Sequence, residues 1–487
     1  YYILYMNGAI LGKSDRGFFM NKDLTVGKPA SVLWKYSLPL FGSIIFQQLY
    51  NIADSFVAGR WIGTSALAAV GNSYEITLIY IAFAFGCNIG TSVVVARHFG
   101  SKNYNRLKTT VTTSLITSVV MGLVLTGLGL IGADFLLKLI QTPTEIFADS
   151  LEYLLIYLGG FLFLLIYNIA TGIFSALGDS RTPFYFLAVS SVTNVFVDIL
   201  FVAQLNMGVA GVAWATFLCQ GVAAAAALIV VLKRLRSLPE SGKAMLFSTA
   251  CLRELTLIAV PSILQQGFIS VGNIMIQSMI NGFGMAAVGG YSAAVKLNNM
   301  TITSITAIGN GMSNYTAQNA GAGIPERIEA GLSAGIKLAG MIALVFVGLY
   351  LAASPTFVGL FITDGNQAAL SAGVMFLRIV SPFYLVIAVK LISDGVLRGV
   401  NRMKLFMTAT LTDLVIRVVC AGLFSTVLGL GLTGIWLSWP VGWLIAAAMS
   451  VSFYRAVKQQ RFDIPQAAIQ PEMLGEETSV EWMKSEA

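Results

Sequence analysis

The sequence predicts an all-α polytopic membrane protein, with twelve transmembrane helices in two six-helix lobes related by a pseudo-two-fold along the membrane normal. Three observations predict it. Of the 487 residues 56% are hydrophobic and only 11% charged, with mean hydropathy +0.78, whereas soluble domains carry about 25% charged residues. Apolar runs, each of about 18 residues or more and so long enough for one span, recur along the chain. The second half then repeats the first: Gly90, Ser92, Gly100 and Arg106 match Gly311, Ser313, Gly321 and Arg327 at an offset of 221, and Pro39 and Asn51 match Pro261 and Asn273 at 222.

The elements follow in order. Residues 1–35 read as a basic cytoplasmic segment, with Met20 as the natural start and 1–19 either without a role or lying along the interface. The span cores fall at 36–58, 70–95, 109–131, 151–176, 184–203 and 209–231, giving a first lobe over 36–232. A cytoplasmic linker, 233–256, divides the halves. A second lobe over 257–455 holds cores at 257–280, 288–315, 331–353, 372–396, 406–427 and 433–454, and a charged cytoplasmic tail takes up 456–487.

Charge sets the topology. With the N-terminus inside, 23 of the 30 Lys and Arg lie in cytoplasmic segments, only Arg60 and Lys138 lie outside, and Lys296, Lys337, Arg378, Lys390 and Arg417 fall within spans. Such an excess places both termini in the cytoplasm. The net charge of +7 is thus a topology signal spread over separate loops, and it predicts a lipid bilayer and no nucleic acid as partner. Cys87, Cys219, Cys251 and Cys420 are isolated, without metal-ligand spacing. No GxxxxGK[ST] motif occurs, and no nucleophile and base constellation points to an enzyme.

The polar residues inside the spans carry the functional signal. In the first span Gln47, Asn51 and Asp54 share one helical side, because spacings of four and seven residues bring side chains together. A carboxylate inside a bilayer costs about 2.5–3.5 kcal/mol on insertion scales, so it marks an ion or substrate path. The fifth span adds Asn194 and Asp198, four apart, and the sixth adds Thr216. At ~1.5 Å per residue Asp54 lies ~28 Å above Lys35, Asp198 ~22 Å above Pro183, and Thr216 ~12 Å below Gly208. All can converge in the outer half. With no basic residue among the first six cores, the two acids would welcome a proton or a hard cation, so Na⁺ is a candidate metal at Asp54, Asn194, Asp198 and Thr216. The alternative is that they only bind helices together.

The second lobe polarises differently. Its seventh span carries the amides Gln266, Asn273 and Gln277, and Ile276 falls where the first lobe has Asp54. Lys390 with Asp394 and Asp413 with Arg417 are i, i+4 pairs that neutralise each other, which leaves Lys296 as the charge without a local partner. Met275 and Met279 could form a thioether wall for flat cations or could simply pack. His98, the only histidine, reads as a turn-capping residue.

From Met20 to Arg461 the chain resembles the multidrug and toxic compound extrusion (MATE) transporters, in particular the bacterial branch. The resemblance rests on the repeat, on LPLFGSIIFQQLYNIADSFVAGRWIGTSALAAVG, on ALGDSRTP and LRGVNR after spans four and ten, and on NVFVD in span five. It implies a two-lobed antiporter of the bacterial cytoplasmic membrane that exports organic cations against H⁺ or Na⁺ by alternating access. It also implies a monomer without a cofactor, with Asp54, Asn194, Asp198 and Thr216 as the cation-coupling site. Family members that place an acid in span seven or mid-span ten find no match here, since span seven is amide-lined and FYLVIAV is apolar. The alternative in the wider superfamily is a flippase for lipids or lipid-linked saccharides, which would need a basic central cavity.

Overall fold

The computed structural model describes residues 22–57, 61–62, 64–239, 244–362 and 366–463, without the side chains of 48–57, 64, 65, 67 and 75. Twelve helical rods run through these residues. In the first half they are α1 (Pro29–Val57), α2 (Thr64–Gly100), α3 (Tyr104–Leu139), the bent pair α4 (Thr144–Gly159 and Phe161–Ala176), α5 (Arg181–Gln204) and α6 (Gly208–Ser237). The second half repeats them as α7 (Thr249–Asn281), α8 (Met285–Gly321), α9 (Pro325–Gly359), α10 (Gln367–Gly399), α11 (Met403–Val427) and α12 (Gly431–Gln459).

Local signals set the starts. Asn103, Ser248 and Asn366 accept a hydrogen bond from the backbone N–H three residues on and so cap α3, α7 and α10. Among the described residues nine helices are long and apolar enough to span a membrane, and the bent pair α4 makes a tenth. The other two, α1 and α8, fall outside that set, and α8 is rich in polar side chains. Asn298, Thr301, Ser304, Asn314 and Gln318 of α8 are buried against protein, where hydrogen bonds can replace water.

Packing repeats with the sequence. In the first lobe α1 packs on α5, α2 on α4, α4 on α6 and α5 on α6; in the second α7 packs on α11, α8 on α10, α10 on α12 and α11 on α12. Irregularities repeat too. The bend in α4 at Gly160 has its counterpart in the 3-10 turn of α10 at Ser381–Phe383, and α5 and α11 both end in a π-helical turn, Leu200–Gln204 and Leu423–Val427. The surface of α3 presents Leu123, Val124, Leu128, Ile131 and Phe135, all exposed, as a lipid-facing band.

The lobes meet through α2, α7, α8 and α1, and the close contacts between them gather toward the end at which α2 and α8 finish. A Cβ on Gly90 of α2 would stand 2.8 Å from the Cβ of Ala259 in α7. Gly100 abuts the backbone of Gln318, and Gly321 abuts the backbone of Arg97. Tyr36 of α1 donates to Ser175 O at 2.7 Å and accepts from Asn314 Nδ2 at 3.1 Å. Beneath this junction runs the segment before α1. Leu24, buried, donates its N–H to Gln318 Oε1 at 2.9 Å, Lys22 donates to Leu177 O at 3.0 Å, and Arg327 donates to Gly27 O at 2.8 Å and Leu24 O at 3.2 Å. The segment therefore ties the end of α4 to α8 and α9.

Candidate transport cleft

The first-lobe residues come together through the α5–α6 hairpin. Gly211 packs against Phe201 and Val202, each 3.2 Å from where its Cβ would stand. Because the helices are antiparallel, four residues down α5 from Val202 and five down α6 from Gly211 reach Asp198 and Thr216 at one level. Both are buried, as is Asn194 one turn below Asp198. The π turn begins two residues after Asp198, a backbone irregularity often found at functional sites. Gly42 and Phe46 of α1 pack on Phe184 of α5, and this register brings the backbone of Asp54 level with Asn194. The side chains of Asn51 and Asp54 lie outside the described residues.

The amide stripe lies on the inter-lobe face. Gln266 stands two turns and Gln277 five turns above Ala259, the residue that meets α2, with Asn273 between them. Gln277 donates to Asn281 Oδ1 at 2.9 Å, and the buried Asn273 Oδ1 makes no hydrogen bond among the described residues. On α1, Gln47 stands two turns above Leu40, which faces Gly311 of α8, and it is exposed. The methionines are elsewhere: Met275 is exposed on the side of α7 away from this stripe, and Met279 reaches toward Gly422 of α11.

Lys296 also belongs to the inter-lobe face. Asn314, which binds Tyr36 of α1, lies 18 residues on, five full turns below it. Lys296 is exposed, with Nζ 5.5 Å from the ring of Phe361. Two charge pairs of the second lobe are consumed internally. Lys390 Nζ is 2.8 Å from Asp394 Oδ2 and 3.4 Å from Thr410 Oγ1, while Ser450 donates to Asp394 Oδ1 at 2.7 Å; all four are buried. Arg417 lies 4.0 Å from Asp413, and its guanidinium sits 4.5 Å above the Trp439 ring.

The matched π turns and the matched glycines Gly208/Gly431 and Gly211/Gly434 share an offset of 223. Gly434 packs on Phe424 and Ser425 as Gly211 does on Phe201 and Val202. By that register Asn194, Asp198 and Thr216 correspond to Arg417, Ala421 and Trp439. At that level the second lobe has Ala421 opposite the carboxylate and a resident cation, Arg417, opposite Asn194.

A MatE family profile matches residues 39–200 and 261–423, the two repeats. The chain belongs to the MatE family. A curated relative in Bacillus subtilis (strain 168), the probable multidrug resistance protein YpnP, is 27% identical over 437 residues, covering 89% of this chain and 96% of that protein. An FAD transporter of Shewanella oneidensis is 26% identical over 341 residues, covering 68% and 74%. Among solved structures, a MOP superfamily transporter from Pyrococcus furiosus matches with TM-score 0.86 and 24% identity, covering 91% of this chain and 99% of that one. The MatE chain is thus a multi-pass membrane transporter, with the fold of two six-helix lobes.

Two features of this MatE chain escape its local sequence pattern. His98 does more than end a helix: its Nε2 lies 3.2 Å from Glu254 Oε2 of α7, and Arg106 binds the same carboxylate. Asp179 of the ALGDSRTP turn accepts from the N–H groups of Arg181 and Thr182 at 3.0 and 3.1 Å and from Arg234 Nη2 at 2.5 Å. Both carboxylates are structural ties at the end of the bundle where α2 finishes and α7 starts, one across the lobes and one within the first. An apolar groove of about 310 Å³ between α2 and α3, lined by Ile79, Phe83, Leu125 and Leu128, is separate from the cleft.

Proposed function

We propose that this transporter exports small organic cations, drugs among them, across the bacterial cytoplasmic membrane in exchange for H⁺ or Na⁺. It works as a monomer, with both termini in the cytoplasm and the lobes opening alternately to either side. The observation that carries the reading is a buried carboxylate, Asp198, level with Thr216 and one turn above Asn194, in a lobe whose span cores hold no basic residue. A negative charge there is costly without a counter-charge. A proton or Na⁺ arriving from outside removes that cost and favours one packing of α1, α5 and α6, and the driving force is the difference in ion affinity between the two packings. By linkage a bound substrate must weaken ion affinity by the same free energy. Supporting the direction, the seal between the lobes is made of cytoplasmic-half contacts, while Gln47, Lys296 and Asn299 higher on the same faces are exposed.

The relatives' names support drug export and also admit a flat, ring-bearing substrate such as FAD. A flippase for lipids or lipid-linked saccharides is the second reading. Of the two lysines it could draw on, Lys390 is committed to Asp394, which leaves Lys296, exposed on α8. The test is ethidium efflux from cells lacking their major pumps, comparing wild type with Asp198→Asn at equal expression under imposed Na⁺ or pH gradients. Loss of gradient-driven efflux in the variant is expected, and the effective gradient names the ion. Efflux unchanged in the variant would reduce Asp198 to scaffolding; no efflux by wild type would favour the flippase.

A further inference from the structure

We infer that the cleft recognises substrates carrying an anionic group, a carboxylate or phosphate, beside their cationic ring system, and that Lys296 is the residue that binds it. The inference deepens the export reading above and rests on it for the location of the cleft.

Four observations converge on Lys296. It lies eleven residues from the outer end of α8, ~16 Å down the helix, well within the membrane, where an ammonium is retained at a cost and marks a pathway. It points along the inter-lobe face, five turns above the Asn314–Tyr36 contact, and it is exposed. Among the described residues it has no hydrogen-bond or ion-pair partner and only the Phe361 ring beside it, which leaves the three ammonium donors available. The remaining intramembrane cations cannot share the task. Lys390 and Arg417 are buried with Asp394 and Asp413, and Lys337 and Arg378 stand opposite the buried faces of α9 and α10, toward lipid.

The cleft therefore has two poles. The described carboxylate of the first lobe, Asp198, is buried, and the second lobe presents one exposed ammonium, Lys296, with the neutral amides Gln266, Asn273 and Gln277 on α7. A substrate with only a positive charge would meet repulsion from Lys296. A zwitterionic aromatic molecule, or one bearing a phosphate, would satisfy both poles, and the Phe361 ring offers a stacking surface next to the ammonium.

The test uses two rhodamines that differ in one group, a methyl ester (a cation) and the parent free acid (a zwitterion), titrated by fluorescence polarisation into the purified full-length transporter in lipid nanodiscs. Wild type is expected to bind the acid at least as tightly as the ester. Lys296→Met should weaken the acid about tenfold or more, as loss of a charge-assisted hydrogen bond does, and leave the ester unchanged or tighter. Lys296→Arg should retain acid binding. Equal weakening of both probes, unchanged acid binding in Lys296→Met, or no binding of either probe by wild type would overturn the inference. Asp364, three residues beyond Phe361 in sequence and outside the described residues, supplies a control: tighter acid binding by Asp364→Asn would mean that the ammonium is already neutralised, and would overturn it as well. A phosphorylated probe, free or as a lipid headgroup in the nanodisc, separates the two sources of a phosphate ligand. Acid-selective binding without any gradient-driven efflux would remove the export reading and leave the Lys296 site standing; efflux that needs Asp198 without acid selectivity would do the reverse.

Discussion

Gly321→Ala should shift the transporter toward the state that is open to the cytoplasm. The methyl group has no space when the cytoplasmic side is sealed, because a Cβ at Gly321 would meet the carbonyl oxygen of Arg97 and lie 2.9 Å from its carbon, whereas ordinary contact begins at 3.4 Å. The obstruction is backbone, so no side-chain rotation relieves it. Instead α2 and α8 must move apart by roughly an ångström, and overpacking of this kind costs about 1–3 kcal/mol. The helix-propensity gain of Gly→Ala, about 0.5–1 kcal/mol, applies in both states and cancels. If the lobes part at this seam, the penalty falls on the sealed state alone and changes the population ratio by about 5- to 150-fold.

The reporter is Ser37→Cys in a background without the four native cysteines. Ser37 is buried and lies against Gly311 of α8, so a thiol there is reached only when α1 and α8 separate. Labelling by an impermeant maleimide in inside-out vesicles should accelerate by the factor above. Gly340→Ala in α9 makes the same chemical change where nothing lies within 4 Å, and it should not alter the rate. A folded Gly321→Ala protein that labels at the wild-type rate would refute the claim that this seam separates during transport.

Two further variants test the second lobe. Lys390→Met leaves Asp394 buried with the Ser450 hydroxyl and the nearby buried Arg398 as its remaining neighbours and should destabilise by up to about 3–5 kcal/mol, seen as a lowered melting temperature of the purified protein. Substituting both, Lys390→Met with Asp394→Leu, should recover most of it, and failure to recover would point to a role beyond neutralisation. Arg417→Met similarly strands Asp413 and should lower the melting temperature, with most of the loss recovered when Asp413→Leu is added; no recovery in the double variant would mean that the stacking on Trp439, and not the ion pair, is what Arg417 supplies.

Much of the fold was legible because a bilayer constrains the chain so tightly. Apolar length, the Lys and Arg asymmetry and the repeat each report on the same twelve rods. The i, i+4 pairing of Lys390 with Asp394 was legible for the same reason, since helical geometry alone brings them together. What could not be read are contacts between residues far apart in sequence. Leu24 and Gln318 are separated by 294 positions, His98 and Glu254 by 156, and no local pattern distinguishes a helix-ending histidine from one that reaches across to the other lobe. The π turns escaped for a different reason: Leu200–Gln204 and Leu423–Val427 have unremarkable composition, and only their backbone sets the register of 223 that aligns the two lobes.

That register gives the lobe asymmetry a physical meaning. Two copies of one helical scaffold face each other, yet the level occupied by Asn194, Asp198 and Thr216 in one is occupied by Arg417, Ala421 and Trp439 in the other. On the proposed ion-coupled reading, the carboxylate site changes its energy when an ion arrives, so its lobe can have two packings of nearly equal free energy and be switched between them. A guanidinium fixed over an indole ring and beside Asp413 cannot leave, so the equivalent region of the second lobe holds one charge state throughout. On the same reading the ion-dependent rearrangement belongs to α1, α5 and α6, while the second lobe acts as the rigid wall against which it occurs. Its aromatic core fits that part: Tyr291, Phe376, Trp436 and Trp439 are buried together, with ring centroids 5.0 to 5.6 Å apart along the chain of contacts.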